Sequence, residues 1–407
     1  MAKKKQKKIG RINPILYWLV YHILYPLYRI RYGLTVDKRA LRGVKGPILV
    51  IAPHTSNKDP WLVSMGIWPL RPTFVLSEHF VANPTLRPIL RLAHIITKKM
   101  FCPDVSTIMN VLRAKREGNS IVLFPEGRLT SNGRTGRVAD GTATLVKKLG
   151  VDVFVVTANG ASLTFPKWAK KPHRGKIRVV TERLFTAEET ATLSEEELTL
   201  RMQAVISHDD AAAMGGVRYR SAAPAEGLDG ILYRCPDCEK EFVMQTEGDR
   251  IFCTECGFSA TLTERFRLHG CRFTRILDWY DWQSDLVDPA TERLETDAVI
   301  GTVGPDGNMD PNAGFAHVTM DKDTFTFNGT VFGEPLVFAR RTAGIVAFPL
   351  TVGAEFDVYY NNKLYFIYPQ TPDTRAAVKW VAYLDRLTAE QRENEAREKI
   401  TEFAEHS

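Results

Sequence analysis

An imidazole and a carboxylate five residues apart open the chemical reading of this sequence. They are His54 and Asp59 in Ala52-Pro53-His54-Thr55-Ser56-Asn57-Lys58-Asp59-Pro60. Histidine is the side chain already poised to take a proton near neutral pH, and a nearby carboxylate fixes its tautomer and steadies the imidazolium that forms. On one helix the two would point about 140° apart, so a turn has to lie between them, and Thr55-Ser56-Asn57 supplies turn-prone residues. Asp59 before Pro60 and Trp61-Leu62-Val63 also has the form of a helix N-cap with proline at the first helical position. Some seventy residues on stands Phe124-Pro125-Glu126-Gly127-Arg128. There, glycine permits close backbone approach and arginine offers a planar fork matched to phosphate oxygens.

A third group is metal-like. Cys235-Pro-Asp-Cys238 and Cys253-Thr-Glu-Cys256 are separated by fourteen residues. Four thiolates on two tight turns fit a closed, tetrahedral structural zinc site, with iron or an oxidised pair as the alternatives. Paired thiols of this kind point to a reducing compartment rather than a disulfide scaffold. Acids beside the knuckles (Asp237, Glu239, Glu241, Glu255) speak against nucleic acid as the partner.

The elements that must hold these residues follow from the apolar pattern. His54 comes directly after the strand-like run 47–51, and Glu126 directly after 120–123. Further strand-like pieces fall at 74–76, 95–97, 151–157 and 176–180, with helical stretches at 105–117 and 141–149 between them. Alternation of this kind predicts an α/β domain with a mainly parallel sheet, whose ligands sit beyond the carboxyl ends of the strands. Thr186 and Ser194 each have Glu three residues on, the capping-box pattern, which predicts a helix from 194 to about 207. Beyond a linker-like stretch the pattern turns to β, with strands expected at 316–320, 324–327, 336–339, 344–348, 355–360 and 363–368. Turns are expected at Asn328-Gly329 and Asn361-Asn362, and a closing helix from Pro372-Asp373.

At 407 residues with 44% hydrophobic and 25% charged residues, the chain has the composition of a multi-domain globular protein. Its net charge of +7 favours anionic partners. That charge is uneven: residues 1–36 carry Lys3, Lys4, Lys5, Lys7, Lys8, Arg11, Arg29 and Arg31 and no acid. Within them the apolar run Ile15 to Tyr28 is 14 residues, short of the roughly 20 that span a bilayer. Its tyrosines and tryptophan suit the headgroup region, so the segment reads as a monotopic anchor on an anionic membrane surface. The alternative is a helix packed on the following domain.

His54-x-x-x-x-Asp59 together with Phe124-Pro125-Glu126-Gly127 resembles the glycerolipid acyltransferase family, of the 1-acylglycerol-3-phosphate type, over roughly residues 40–210. That resemblance implies an acyltransferase-like sheet flanked by helices. It implies transfer of an acyl chain from acyl-CoA or acyl carrier protein to the hydroxyl of a lysophospholipid, foremost 1-acylglycerol-3-phosphate, in phospholipid biosynthesis. His54 and Asp59 would be catalytic, and Glu126, Gly127, Arg128 and Lys99 would bind the substrate phosphate. The family pattern Phe-Pro-Glu-Gly-Thr-Arg-Ser is altered here to Gly127-Arg128-Leu129-Thr130, a variant similar to that of its acylglycerophosphoethanolamine branch, so another acceptor head group stays open. Lys98 and Lys99 stand where the family has an acid and an arginine. The alternative from another class is a catalytically silent lipid- or protein-binding adaptor.

The domains expected are a membrane-anchoring segment at 1–36, an acyltransferase domain at 37–210, a linker at 211–230, a zinc ribbon at 231–262, a β-rich domain at 263–387 closed by a helix, and a charged tail at 388–407. The β-rich domain resembles a pleckstrin-homology or GRAM module in outline. The expected location is the cytoplasmic face of the cell membrane.

Overall fold

The protein was analysed as a computed structural model, which describes residues 8–98 and 105–405. The chain separates into two compact units. One comprises Met1–Lys167, Lys171–Ala222 and Glu264–Phe266, the other Trp168–Lys170, Ala223–Thr263 and Arg267–Ser407.

The first unit opens on helix α1 (Pro14–Tyr32). Asn13 precedes it, its side chain accepting the amides of Ile15 and Leu16, and left-handed Gly33 ends it. There follow β1 (Thr35–Asp37), β2 (Leu49–Ile51), α2 (Asp59–Gly66), β3 (Pro72–Ser77), α3 (His79–Ala82), α4 (Arg87–Leu92), β4 (Ile96–Lys98) and α5 (Val105–Arg116). Next come β5 (Ser120–Leu123), α6 (Thr142–Leu149), β6 (Val153–Asn159), α7 (Ala161–Thr164), β7 (Arg178–Phe185), α8 (Ala187–Thr192), α9 (Glu195–Ile206) and α10 (Asp210–Ala213). The strands form a seven-stranded sheet in the order β1-β7-β6-β2-β5-β3-β4. β6, β2, β5, β3 and β4 run parallel, while β7 is antiparallel to β6 and parallel to β1.

Period-two alternation sorts the buried side chains of this sheet between two faces. Ile48, Val50, Val122, Phe154 and Val156 pack with Tyr28 and Tyr32 of α1 and Leu62 and Val63 of α2. Leu49, Ile51, Ile121, Val153 and Val155 pack with Val111 of α5, Val146 of α6 and Leu198, Met202 and Ile206 of α9. Apolar layers on both faces explain why the central strands read as continuous hydrophobic runs. Gly66 marks the closest approach of α2: a Cβ there would lie 2.9 Å from methyls of both Val156 and Val179. The stretch 211–230, linker-like in composition, carries α10 and buries Tyr219, Ala225 and Leu228.

In the second unit a four-stranded antiparallel ribbon, β8 (Met244–Glu247), β9 (Arg250–Cys253), β10 (Ser259–Leu262) and β11 (Leu268–His269), precedes helix α11 (Ile276–Asp285). A seven-stranded antiparallel sheet follows: β12 (Leu294–Val303), β13 (Met309–Met320), β14 (Thr324–Val331), β15 (Glu334–Arg341), β16 (Leu350–Thr351), β17 (Glu355–Tyr360) and β18 (Lys363–Pro369). Its order is β15-β14-β13-β12-β18-β17-β16, two meanders joined through β12 and β18. Helix α12 (Ala377–Glu405) closes the chain and buries Val378, Trp380, Val381 and Leu384.

Several β-region expectations need correction. Strand β12 was not foreseen, and 344–348 is not a strand. Asn328-Gly329 is no turn but the middle of β14, paired with Ala316 and His317. Asn361-Asn362 is the turn expected, both residues having positive φ (47° and 61°), as a two-residue hairpin loop requires.

Candidate active site and metal centre

The register of the central strands aligns the candidate catalytic residues. Ile51 at the end of β2 pairs with Leu123 at the end of β5. His54 and Glu126 each lie three residues beyond that pair, so they leave the sheet side by side. The His54 amide donates to Glu126 Oε1 at 2.7 Å. Both stand at the carboxyl ends of parallel strands, where α/β sheets place their ligands.

The turn expected between His54 and Asp59 is present and brings them together. Asp59 Oδ2 meets His54 Nδ1 at 3.0 Å and also accepts the amides of Thr55 and Ser56 at 2.8 Å each. The imidazole lies against the Phe124 ring with centroids 4.2 Å apart. With Nδ1 committed to the carboxylate, Nε2 is the nitrogen left for an incoming hydroxyl, and the histidine side chain keeps 21% of its surface exposed. Asp59 does not cap α2, as its sequence position suggested. The helix begins at Asp59 and shows no side-chain cap. The carboxylate turns back instead to amides that precede the helix, because the 55–56 turn and His54 offer three donors on that side. Burial pushes the Asp59 carboxyl above its usual range, opposed by the bond to His54 and the amides of Ser56 and Thr55.

Glu126 is spent on the backbone. It is 8% exposed, and while Oε1 takes the His54 amide, Oε2 takes the Gly136 amide at 2.5 Å. Burial raises its pKa against those two bonds. The resemblance grouped Glu126 with phosphate-contacting residues, whereas both oxygens here fasten the two arms of a loop. Gly127 turns the chain at φ 71°, a value that favours glycine, and donates to the Phe124 carbonyl. Arg128 follows, half-buried at the start of a loop that returns beside its own origin: Thr130 donates to the His54 carbonyl and Ala139 to that of Pro125. Arg134 and Arg137 stand exposed on the same loop, two cations that motif reading passed over. Their signal was three arginines within ten residues of Glu126-Gly127. Lys99 lies outside the described residues.

The four cysteines converge in the second unit. All four Sγ atoms lie within 4.8 Å of one another, with Cys235–Cys256 at 3.6 Å and Cys238–Cys253 at 3.8 Å. A tetrahedral ion with metal–sulfur bonds of about 2.3 Å requires sulfurs roughly 3.8 Å apart, so the cluster has the size of a metal site. Each sulfur also receives backbone amides in the way thiolates do: Cys235 from Asp237 and Cys238, Cys238 from Lys240, Cys253 from Glu255, Cys256 from Phe258. These donors favour the charged thiolate that a metal binds, against the burial that pushes the Cys235 thiol up.

Residues 33–159 match the family model described as Acyltransferase. Among solved structures, the chain is similar to the 1-acyl-sn-glycerophosphate (LPA) acyltransferase PlsC from Thermotoga maritima. Identity is 18%, over 50% of this chain and 78% of that one, with a TM-score of 0.40.

Proposed function

We propose, from the premise that residues 33–159 are an acyltransferase-family domain, that the protein is a glycerolipid O-acyltransferase acting on a lysophospholipid. The reading rests on one observation: an imidazole at the carboxyl ends of the sheet strands, held through Nδ1 by a buried carboxylate, with Nε2 left for the substrate. Nε2 takes the proton of the acceptor hydroxyl as its oxygen attacks the thioester carbonyl of acyl-CoA or an acyl carrier protein. The C–S bond then breaks, and the histidine returns the proton to the leaving thiolate. Asp59 keeps the Nδ1–H tautomer and offsets the imidazolium charge. Arg128, with Arg134 and Arg137, supplies guanidinium forks for the acceptor phosphate, and 1-acylglycerol-3-phosphate is the first acceptor to test. Thiol release from acyl-CoA, measured with a panel of lysophospholipids, identifies the acceptor. His54→Ala should lower kcat by about 100- to 10,000-fold without unfolding the protein, and full activity in that variant refutes the mechanism.

The first helix supports work at a membrane surface. No helix among the described residues is long and apolar enough to cross a bilayer. Yet α1 buries Tyr17, Tyr28 and Tyr32 on one side and exposes Ile15, Trp18, Leu19, Ile23, Leu27 and Ile30 on the other. Packed helix and surface anchor are thus two faces of one element, beside Arg29 and Arg31. On this reading the exposed face enters the headgroup layer of an anionic membrane, on the cytoplasmic side where thiols stay reduced. Removing residues 1–30 would take core tyrosines with the anchor, so the clean test is Ile23→Asp with Ile30→Asp. That pair should release the protein from phosphatidylserine vesicles with its fold intact; unchanged binding counts against the anchor.

The four cysteines would hold a structural zinc. Such a closed site, saturated by thiolates, supplies folding free energy.

A further inference from the structure

Outside the motifs, the first unit holds a second His–Asp pair. His208 Nε2 lies 2.6 Å from Asp210 Oδ1 in the turn between α9 and α10. Asp210 is 2% exposed, and it also accepts the amides of Gly160 and Ser162 and the hydroxyl of Ser162 at 2.7–2.8 Å. Those donors lie just past the end of β6, the strand beside β2, at the same end of the sheet as His54. Gly160 has φ 85°, and a Cβ there would lie 2.3 Å from the Lys176 carbonyl, so its amide is held where Asp210 meets it.

From this turn the contacts run toward His54. The His208 amide donates to Thr135 Oγ1 at 3.0 Å. Gln203, on α9, accepts the Val138 amide at 2.9 Å and donates to the Gly136 carbonyl at 3.2 Å and to Ser207 Oγ at 3.1 Å. Residues 135, 136 and 138 are thereby fastened from one side. Gly136 is the residue whose amide fixes Glu126 Oε2, and Glu126 Oε1 fixes the amide of His54.

We infer that His208 is a positioning residue: paired with Asp210, it sets the α9–α10 turn that clamps the 135–138 limb, and through Gly136 and Glu126 it places the His54 base. The inference rests on the acyl-transfer reading of His54. Gln203, His208 and Asp210 lie beyond the segment the family model matches, whereas the limb they hold lies within it. Charge supports the assignment. Burial pulls the imidazole down, but the bonded Asp210 carboxylate, with Asp209 and Asp59 beyond it, carries His208 net above the usual histidine value. A cation is therefore favoured among acids that would otherwise repel one another.

The test compares kcat, KM and melting temperature for His208→Ala, His208→Gln and Thr135→Val combined with Gln203→Leu, with His54→Ala alongside, in the full chain with acyl-CoA and a lysophospholipid. Displacing a base by about 1 Å costs on the order of 100-fold. His208→Ala should accordingly lower kcat about 10- to 100-fold and keep both KM values within about twofold, with a lower melting temperature because the buried Asp210 carboxylate loses its partner. His208→Gln, whose amide can still donate to Asp210, should recover most of that loss. An unchanged kcat overturns the inference, as does a loss confined to KM, which would make His208 a substrate contact. Should His208→Ala fail to fold, Thr135→Val combined with Gln203→Leu decides: together they cut the links to the loop without touching the buried pair, and full activity there overturns the clamp. Retained activity in His54→Ala defeats the acyl-transfer reading itself. Inactive His54→Ala beside fully active His208→Ala defeats only this inference.

Discussion

Both units are built on apolar cores, but they place their buried polar groups differently. The first buries aliphatic side chains on both faces of a sheet and admits polar groups to its interior chiefly at the strand ends, where Asp59, Glu126 and Asp210 sit. The second adds polar side chains to the apolar packing between its cysteine ribbon and its helices, where Phe258 meets Trp279. Arg375, just before α12, donates to the carbonyls of Phe242 and Met244 and to the carboxylates of Asp229 and Asp373. Gln283 of α11 accepts the amides of Tyr233 and Arg234 and donates to the Ile231 carbonyl, while Trp279 donates to that of Arg234. Lys379 of α12 pairs with Glu241 and Glu292. A ribbon of four short strands has little apolar core of its own. The lesson is that the ribbon adds a cysteine cluster of metal-site size and a network of hydrogen-bonded charges to its apolar packing, and the expected failure modes change with them.

Metal removal should separate the units most strongly. Structural zinc sites contribute on the order of 10 kcal/mol at neutral pH. Cys253→Ser, or a strong chelator, should therefore unfold the ribbon, and Arg375 and Gln283 should carry that loss into α11 and α12. Differential scanning calorimetry should show one transition abolished or moved far down while another stays; two unmoved transitions would show that the cluster does not hold the unit. Arg375→Met comes next. It leaves two carbonyls and a carboxylate pair without their donor, a loss of about 2–4 kcal/mol confined to the second unit. Equal destabilisation of both units would erase the contrast between them.

That contrast also explains what the sequence made legible. Strands buried on both faces announce themselves as apolar runs, so β2, β5 and β6 and the residues leaving their ends could be placed from composition alone. The cysteine cluster was legible because its ligands come as local pairs. Less was visible where a long-range contact decides. Gly329 looked like a turn, but it pairs with Ala316 within β14, and the glycine is needed there because a Cβ would lie 2.1 Å from the Phe315 carbonyl of the neighbouring strand. Strand β12 does alternate, with Leu294, Thr296, Ala298 and Ile300 facing inward, yet threonine and alanine dilute the hydrophobic signal. His208 and Asp210 carry no motif. They meet Gly160 and Thr135 only because α9 packs on the sheet, and nothing local in the sequence records that.

The smallest effect on stability belongs to Asp59, and it tests whether the first unit gives up stability for its site. Burial raises the folded-state pKa of Asp59 above the unfolded reference of 3.8. Between that reference and the raised value the folded chain binds more protons than the unfolded one, so this residue's contribution to stability falls as pH climbs through the window. Above the window the cost of the buried charge is fully present, and below 3.8 it vanishes. Asn cannot ionise, and its carbonyl can still accept the Thr55 and Ser56 amides. The stability of Asp59→Asn relative to the parent should therefore rise with pH across the window and then level off, as read from urea midpoints at a series of pH values. Acyl transfer should meanwhile fall about 100-fold or more, because an amide cannot hold the imidazole in the needed tautomer or offset its charge. A relative stability that falls with pH would mean the charged carboxylate stabilises the fold, and the site would then resemble the Arg375 network of the second unit instead of opposing it.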